Sequence, residues 1–490
     1  MVTRLIVFLT VCLLALSGLG RLSAETLPHI STFTSVSPVG QTTRFQLPDT
    51  HTFQYLAEEG DALTEGGAFM DNFDFTGYVP ESGSSVAGYV GVNHELTPGS
   101  VSVMEVEFDG LLNGWTVTAS QAVDFSGVGG TARNCSGTVT AWETLVTCEE
   151  ATSGDENGDG YNDIGWCVEI DPATATVIDQ PGDLSGGDKL WALGNFAHEN
   201  MVVHPNDRTA YTGLDRNPGY LYKLVTTTER DLSDGDLYVF RDLGGGDAEW
   251  VQIANTTPAE RNSARAQAAA VGARAFNGIE DVEISPVDGM VYFAVSGEGR
   301  VYRFNDIDPL SDDGISGFET YVGGMDYIID HAGGSESVPW GNGNDNLAFD
   351  DLGNLWVLQD GGNNYIWVVG VNHTQATPDV SLFGIAPSGS EPTGITFTPD
   401  NRYLFMSIQH PSSGNGVTTQ PDAFGTQRAF DKDVALVIAR TGMLGDQPPA
   451  TAVSMLGQSA DVHSQIWVFA GLMGVLTGVL VMGRRKSGVP

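Results

Sequence analysis

The chain has few basic residues. Its 490 residues include 22 lysines and arginines against 62 aspartates and glutamates, which gives a formal net charge of −40. Lysine occurs only at positions 189, 223, 432 and 486. Because a surface this acidic repels backbone phosphates, nucleic acid is not expected as a partner. We interpret most of the carboxylates as solubilising surface groups and expect a minority of them to bind cations.

Cysteine is also scarce. The chain has four cysteines, and Cys12 falls in an apolar leader. A bridge between Cys148 and Cys167 would staple the acidic loop between them and leave Cys135 as a free thiol. A free thiol in an exported protein is either buried as a small hydrophobe or used as a metal ligand. The residues alone leave both interpretations open.

Long apolar runs occur only at the two ends. Residues 1–24 have the basic start, apolar run and small-residue end of a secretory signal peptide. Residues 465–483 predict a transmembrane helix, and the basic residues in 484–490 predict a cytoplasmic tail. Residues 441–464 predict a flexible stalk. The body, residues 25–440, is therefore expected on the extracytoplasmic face, anchored by its C-terminal helix unless a sorting enzyme processes that end.

The body lacks helical periodicity and instead repeats one unit. Each unit opens with acidic or amide residues, followed by an apolar strand, a turn of Pro, Asp or Gly, and a second apolar strand. Four clear units open with His198-Glu199-Asn200, Glu280-Asp281, Asp345-Asn346 and Glu391-Pro392-Thr393. Two less faithful ones involve Asn134-Cys135 and Asn93-His94-Glu95. Six units predict an all-β fold, a six-bladed β-propeller with loop or short-helix insertions.

Propeller geometry predicts where these polar residues meet. The first strand of each blade runs along the central channel, so equivalent residues reach the same mouth. Glu199, Glu280, Asp345 and Glu391 are therefore expected to converge. Close carboxylates raise one another's pKa unless cations neutralise them. Calcium, a hard cation that prefers oxygen ligands, would do so.

Several phrases resemble those of a known family. They are DFTGYVP, RNCSGTVTAWETLVTCEE, IEDVEISPVDGMVYFA, NDNLAFDDLGNLWVLQDGG and EPTGITFTPDNRYLFMSIQHP, in family order between residues 71 and 440. With them the chain resembles the PhoX-type alkaline phosphatases. The resemblance implies a phosphomonoesterase with a cluster of ferric iron and calcium, acting outside the cytoplasm on small-molecule phosphate esters. We expect a monomer.

The resemblance also implies roles for individual residues. It implies a thiolate ligand to ferric iron from Cys135. It implies iron and calcium ligands from Glu149, Glu150, Glu199, Glu280 and Glu391, with Asp345 and Asn346 as ligands or close neighbours. Cations for the phosphate oxygens are expected from Arg133 and Arg216, with Lys223 and Lys189 behind them. His94, Glu95 and His198 are either part of the site or satisfied core residues.

One departure from the family pattern bears on substrate preference. Relatives carry a basic residue close before the late glutamate, but here Pro387-Ser388-Gly389-Ser390 precede Glu391. A phosphate clamp is therefore either missing or supplied from elsewhere in the chain.

A separate acidic loop has the start of a calcium-binding pattern. Asp155, Asn157, Asp159 and Asp163 occupy positions one, three, five and nine of an EF-hand loop. The twelfth position is Trp166 rather than glutamate. We interpret the loop as a structural calcium site, the alternative being a solvated turn.

Two other functions remain open from the sequence. One is a non-catalytic, metal-stabilised surface propeller that binds a partner or glycan. The other is a propeller hydrolase of a different ester class, such as a lactonase, which uses calcium without a thiolate. The state of Cys135 discriminates among them, since a disulfide there would favour the non-catalytic protein.

Overall fold

The computed structural model describes residues 28–178 and 189–445. The predicted signal peptide, transmembrane helix and basic tail, and all but the first residues of the predicted stalk, lie outside these ranges. Within them, the structure contains no helix that is long and apolar enough to cross a membrane.

The described chain has an all-β, propeller-like fold, so the predicted fold class is confirmed at that level. It opens with β1 (His51–Glu58), and two four-stranded antiparallel sheets follow. The first sheet contains β2 (Phe73–Pro80), β3 (Ala87–His94), β4 (Ser100–Asp109) and β5 (Gly114–Ala122). The second contains β6 (Asn134–Val139), β7 (Leu145–Glu149), β8 (Cys167–Asp171) and β9 (Thr176–Val177).

The middle of the chain forms a nine-stranded sheet in which β14 pairs with β18. Its strands are β10 (His198–Val203), β11 (Thr209–Leu214), β12 (Leu221–Thr226), β13 (Gly235–Gly244), β14 (Asp247–Ile253), β15 (Ile279–Ile284), β16 (Val291–Val295), β17 (Arg300–Asp306) and β18 (Ile315–Gly323). Two short helices, α1 (Pro258–Arg261) and α2 (Ala264–Ala270), separate β14 from β15. Thr257 and Glu260 form a capping box that starts α1.

The last third contains two more four-stranded sheets and two small hairpins. The strands are β19 (Asp326–His331), β20 (Gly334–Pro339), β21 (Asn344–Phe349), β22 (Leu355–Gln359), β23 (Tyr365–Val369), β24 (Val380–Ile385), β25 (Glu391–Phe397), β26 (Tyr403–Gln409), β27 (Gln420–Pro421), β28 (Gln427–Arg428) and β29 (Val434–Arg440). The final sheet has the order β1-β29-β26-β25, so the first strand of the chain completes it.

Six strands line the centre and are called the inner strands: β2, β6, β10, β15, β21 and β25. Each contacts the next in this order, and β25 contacts β2, which closes the ring. Gly394 permits the last contact: its φ is +51°, and a Cβ there would lie 2.1 Å from the Thr76 backbone nitrogen. Apolar side chains fill the space between adjacent sheets, as Met104, Phe405 and Val437 do between the first and last. Each such side chain contributes about 1.5–3 kcal/mol on burial.

The inner strands share a backbone irregularity. In β2, β6, β10, β15 and β21 the pairing with the following strand is shifted directly after the first residue. Such a bulge changes the direction of the side chains within it and is common beside functional sites. The second residue of each of these strands therefore lies in the bulge, where the inner strand begins.

Candidate metal centre and active site

A polar cavity of about 360 Å³ lies where the inner strands begin. Nine carboxyl groups, a thiol and an arginine line it. The lining residues are Asp74, Glu95, Arg133, Cys135, Glu150, Glu199, Asp215, Glu280, Ser296, Gly343, Asp345, Asp360 and Glu391. Such a concentration of buried acid has the composition of a cation-binding site.

The cavity residues form two rings that follow the sheet geometry. The inner ring consists of the second residues of five inner strands and the first residue of β25: Asp74, Cys135, Glu199, Glu280, Asp345 and Glu391. The outer ring consists of the residues directly after the second strands: Glu95, Glu150, Asp215, Ser296 and Asp360, which line the cavity, and His410, which lies beside Glu391 outside the lining. The rings lie side by side because the end of each second strand pairs with the start of its inner strand.

The ring residues are close enough to share cations. The Cys135 Sγ lies 3.2 Å from Asp74 Oδ2 and 3.1 Å from Glu199 Oε1. Asp74, Glu95 and Cys135 offer ligand atoms within 4.8 Å of one another, and so do Glu199, Glu280 and Asp345. The repeat thus predicted correctly that Glu199, Glu280, Asp345 and Glu391 converge.

Burial and mutual repulsion oppose ionisation of these groups. Burial, followed by the charge of Glu95, raises the pKa of Asp74 to about 8, and burial raises the pKa of Glu391 to about 10. Burial and neighbouring carboxylates also hold the pKa values of Cys135, Glu199 and Asp345 well above their usual range. The site therefore needs protons or cations to be stable. Its oxygen donors fit calcium, and its thiol fits a softer transition metal such as iron.

Two arginines contact one carboxylate at the rim. Arg133 bonds to Glu95 and Glu150, and its Nε lies 3.1 Å from Glu150 Oε2. Arg216 bonds to the Glu150 carboxylate and donates to its carbonyl at 2.8 Å. Burial alone would raise the pKa of Glu150, but the bonds from Arg216 and Arg133 lower it. The side chains of Arg133 and Arg216 remain 46% and 40% exposed, so they can also meet a ligand.

Glu149 does not lie in the cavity, contrary to the role expected for it. Its carboxylate accepts the backbone N–H groups of Ala132 at 3.0 Å, Gly165 at 2.9 Å and Trp166 at 3.1 Å. Lys189 donates to the same carboxylate at 2.8 Å. The two side chains form a buried ion pair, so Glu149 has a structural role and Lys189 is its partner.

Lys223 and Asn346 also have structural partners. Lys223 is fully buried on β12 and donates to Asp306 at 2.8 Å and to the Ser311 carbonyl at 2.7 Å. The expectation of a phosphate-binding role for Lys223 does not match this position. The Asn346 side chain accepts the Gly394 N–H at 2.6 Å and so connects β21 to β25, outside the cavity lining.

His94 and His198 are core residues with hydrogen-bond partners, whereas Glu95 is part of the site. The His94 ring lies 3.1 Å from the Asp71 carbonyl and 2.9 Å from the Ser102 hydroxyl. The His198 ring lies 2.8 Å from the Gly194 carbonyl. Burial lowers the pKa of His94 to about 4 and that of His198 to about 3. Glu95, in contrast, lines the cavity.

Sequence reasoning missed Asp74, Asp215 and Asp360. Asp74 was overlooked because the first unit was placed on the phrase ending at Glu95, which the structure assigns to the second strand, β3. The phrase DFTGYVP, which begins with Asp74 and forms most of β2, contained the sequence signal for this residue. Asp215 and Asp360 directly follow β11 and β22, at the ends of YTGLD and LWVLQD.

The acidic loop is held by its own backbone and by a disulfide. Cys148 and Cys167 form a disulfide, and Cys135 is free and buried. Asp155 accepts the N–H groups of Gly158 at 2.7 Å and Gly160 at 3.0 Å. The predicted calcium site at this loop stays a prediction.

Fold and cavity together define an all-β, propeller-like protein with a candidate metal centre at the mouth of its channel. The family model for alkaline phosphatase PhoX matches residues 106–412, more than half of the chain, and the chain belongs to this family. At the level of the family it is therefore a phosphatase of the alkaline phosphatase type. None of the curated proteins matches the sequence significantly.

One solved structure supports the fold. The chain is similar to Pseudomonas fluorescens PhoX in complex with vanadate, a transition state analogue, with 22% identity over 84% of this chain and 98% of that chain and a TM-score of 0.64. It is more distantly similar to the calcium-binding protein regucalcin from Agrobacterium tumefaciens strain C58, with 10% identity over 79% of this chain and 95% of that chain. The TM-score of this second match is 0.41.

Proposed function

We propose that the protein is an extracytoplasmic, metal-dependent phosphomonoesterase that releases phosphate from organic esters. Its fold would be a six-bladed propeller, with one blade for each inner strand. Iron and calcium would bind at the mouth of the channel. The observation that carries the proposal is the pair of rings, which brings nine carboxyl groups and the free thiol of Cys135 into one cavity. Because Cys135 is not in a disulfide, the enzyme is favoured over a lactonase or a binding module.

The donor types indicate which residues would hold which cation. Cys135, with Asp74 and Glu95 beside it, offers the thiol and oxygen donors that suit iron. Glu199, Glu280, Asp345 and Glu391 offer the oxygen donors that suit calcium. When bound, these cations would offset the carboxylate charge and act as Lewis acids toward the phosphoryl group.

The rim arginines have the chemistry to bind the substrate. A phosphate monoester dianion must approach a protein of strong negative charge, so local cations have to attract it. Arg133 and Arg216 present planar guanidinium groups, which pair well with phosphate oxygens. Glu150 bonds to both and holds them side by side. His410 lies beside Glu391, with the His410 Nε2 3.8 Å from Glu391 Oε1. It is the candidate for the basic group that is missing from the residues directly before Glu391.

Placement outside the cytoplasm rests on two supports. One is the predicted signal peptide, and the other is the Cys148–Cys167 disulfide, since such bridges persist mainly in oxidising compartments. Anchoring by the C-terminal helix is part of the same proposal.

The test is hydrolysis of p-nitrophenyl phosphate by the full-length protein loaded with calcium and iron. Cys135→Ala should lose iron and more than about 100-fold of the turnover, because even the partners of metal ligands typically contribute about 10- to 100-fold. Ser136→Ala is the matched control, since Ser136 is the next residue of β6 and lies outside the cavity lining. Absence of turnover by folded, metal-loaded protein would overturn the proposal.

A further inference from the structure

A second pocket of about 430 Å³ is linked to the metal cavity through Arg216. Arg216 lines this pocket and also bonds to Glu150, which lines the cavity. Thr152, two residues beyond Glu150, lines the pocket as well. A group attached to a phosphate that is bound by Arg216 would therefore enter this pocket. The volume is within the range of about 300–1,000 Å³ typical of sites for small organic ligands.

Two insertions build the walls of the pocket. One wall is the acidic loop closed by the Cys148–Cys167 disulfide, and the other is the α1–α2 insertion. Asn262, just after α1, joins them: its side chain accepts the Asn162 N–H at 3.1 Å and donates to the Gly160 carbonyl at 2.9 Å. The base includes the buried rings of Phe196 and Tyr220, which can pack against a carbon skeleton.

The charge of this pocket is opposite to that of the protein. Arg216 and Arg265 line it, and no carboxylate is among its described lining residues. The chain as a whole has 62 acidic and 22 basic residues, so a cationic pocket beside the acidic cavity is a local exception. Arg265 extends from α2 over the Asn217–Pro218 turn, where it donates to the Pro218 carbonyl at 3.2 Å. Within the described chain Arg265 forms no salt bridge, so its charge is available to a ligand.

We propose that this pocket binds the alcohol part of the substrate, and that Arg265 selects phosphate monoesters whose alcohol carries a second anionic group. The inference rests on the proposed phosphomonoesterase function. Arg216 contacts the phosphate at the border, the aromatic base receives the carbon chain, and Arg265 pairs with a carboxylate or second phosphate. An ester with a neutral alcohol fits the same space but leaves Arg265 without a partner.

Two substrates that differ only at this group test the proposal. Glycerol 3-phosphate and 3-phosphoglycerate share the phosphate and the carbon chain, but the second ends in a carboxylate. We expect the metal-loaded, full-length protein to show a kcat/KM about tenfold higher for 3-phosphoglycerate, the size of one charge-assisted hydrogen bond. Free calcium must be held equal in both assays, because the carboxylate also binds calcium.

Variants separate this selection from catalysis. Arg265→Gln should bring the ratio of the two kcat/KM values close to one. Ala266→Glu, at an exposed position of α2 that lines the pocket, should bring it below one. Arg402→Gln is the matched control, since Arg402 is an exposed arginine at the turn between β25 and β26, and it should keep the wild-type ratio.

The outcomes distinguish the two proposals. If the wild-type protein hydrolyses both esters and the ratio is the same in the Arg265→Gln variant, the pocket proposal fails and the phosphatase stands. If folded, metal-loaded protein hydrolyses neither ester nor p-nitrophenyl phosphate, both fail. A tenfold ratio that disappears in both pocket variants and persists in Arg402→Gln supports the selection by Arg265.

Discussion

Glu149 and Glu150 are consecutive residues whose carboxylates form ion pairs with different basic side chains. The Glu149 carboxylate lies inside the sheet, 2.8 Å from Lys189 Nζ, and the Glu150 carboxylate bonds to Arg133 and Arg216 at the rim. Successive side chains of a strand point to opposite sides, which separates the two environments. One glutamate therefore supports the fold, and its neighbour positions the arginines of the candidate active site.

Substitution of Glu149 should mainly lower stability, and substitution of Glu150 should mainly lower activity. Glu149→Gln leaves the buried Lys189 without a charged partner, which should lower the free energy of unfolding by about 3 kcal/mol. Glu150→Gln should lower that free energy less than Glu149→Gln does, because its arginine partners remain partly exposed to water. It should instead lower kcat/KM for p-nitrophenyl phosphate, because both arginines lose the carboxylate that holds them. Denaturant unfolding and steady-state kinetics on the two variants check this. A large loss of stability in Glu150→Gln, with activity kept, would contradict the assignment.

Calcium should stabilise the protein against heat. Burial and neighbouring charges raise the pKa of several cavity carboxyls, so cations that neutralise them favour the folded state. At a free calcium concentration 100 times the Kd, the expected gain is about 2.7 kcal/mol. The measurement is the Tm with calcium and with a chelator. The double variant Glu199→Gln and Asp345→Asn should lose most of the calcium-dependent shift, and an unchanged shift would contradict the site.

Loss of the disulfide should destabilise the acidic loop. Cys148 and Cys167 are 19 residues apart, and a bridge of this span stabilises a protein by about 3 kcal/mol in the chain-entropy model. The variant Cys148→Ala/Cys167→Ala should therefore have a lower Tm and should be cleaved faster by protease between residues 150 and 166. Equal Tm values for the oxidised wild type and the variant would show that the bridge does not support this part of the fold.

His51 should make stability depend on pH below neutrality. Burial lowers the pKa of His51 to about 4, against 6.5 for an exposed histidine. Position 51 therefore binds a proton more readily in the unfolded chain than in the folded protein. The stability that neutral His51 contributes to the free energy of unfolding is present above pH 6.5 and is lost as the pH falls toward 4. The loss amounts to about 3 kcal/mol. The free energy of unfolding should fall less steeply over this range in His51→Gln than in the wild type. Equal slopes would contradict the assignment.

Repetition in the sequence predicted four of the six inner-ring residues, because equivalent residues of a propeller meet at one mouth. Glu199, Glu280, Asp345 and Glu391 were found this way. Glu149 could not be separated from Glu150, since two adjacent carboxylates look alike until the direction of β7 is known. Asp74 was missed because β2 and β3 both reach the cavity with an acidic residue, and only strand order shows which is innermost.

Partners distant in sequence explain the other differences. Lys223 was a reasonable candidate for a phosphate ligand, given how few lysines the chain has. Its partner Asp306 is 83 residues away on β17, and no local pattern connects the two. Similarly, the pairing of Lys189 with Glu149 depends on a contact across 40 residues. Burial of a charge by a distant partner leaves no periodic signal in the sequence.

The pairing of β1 with β29 has a consequence for synthesis of the protein. Residues 51–58 leave the ribosome early, but their hydrogen-bonding partners, residues 434–440, leave almost 400 residues later. Until then β1 lacks its partner, and the last sheet, which supplies Glu391 to the cavity, is incomplete. If the chain is exported, the last sheet, and with it the part of the cavity that contains Glu391, would form only after residues 434–440 have crossed the membrane.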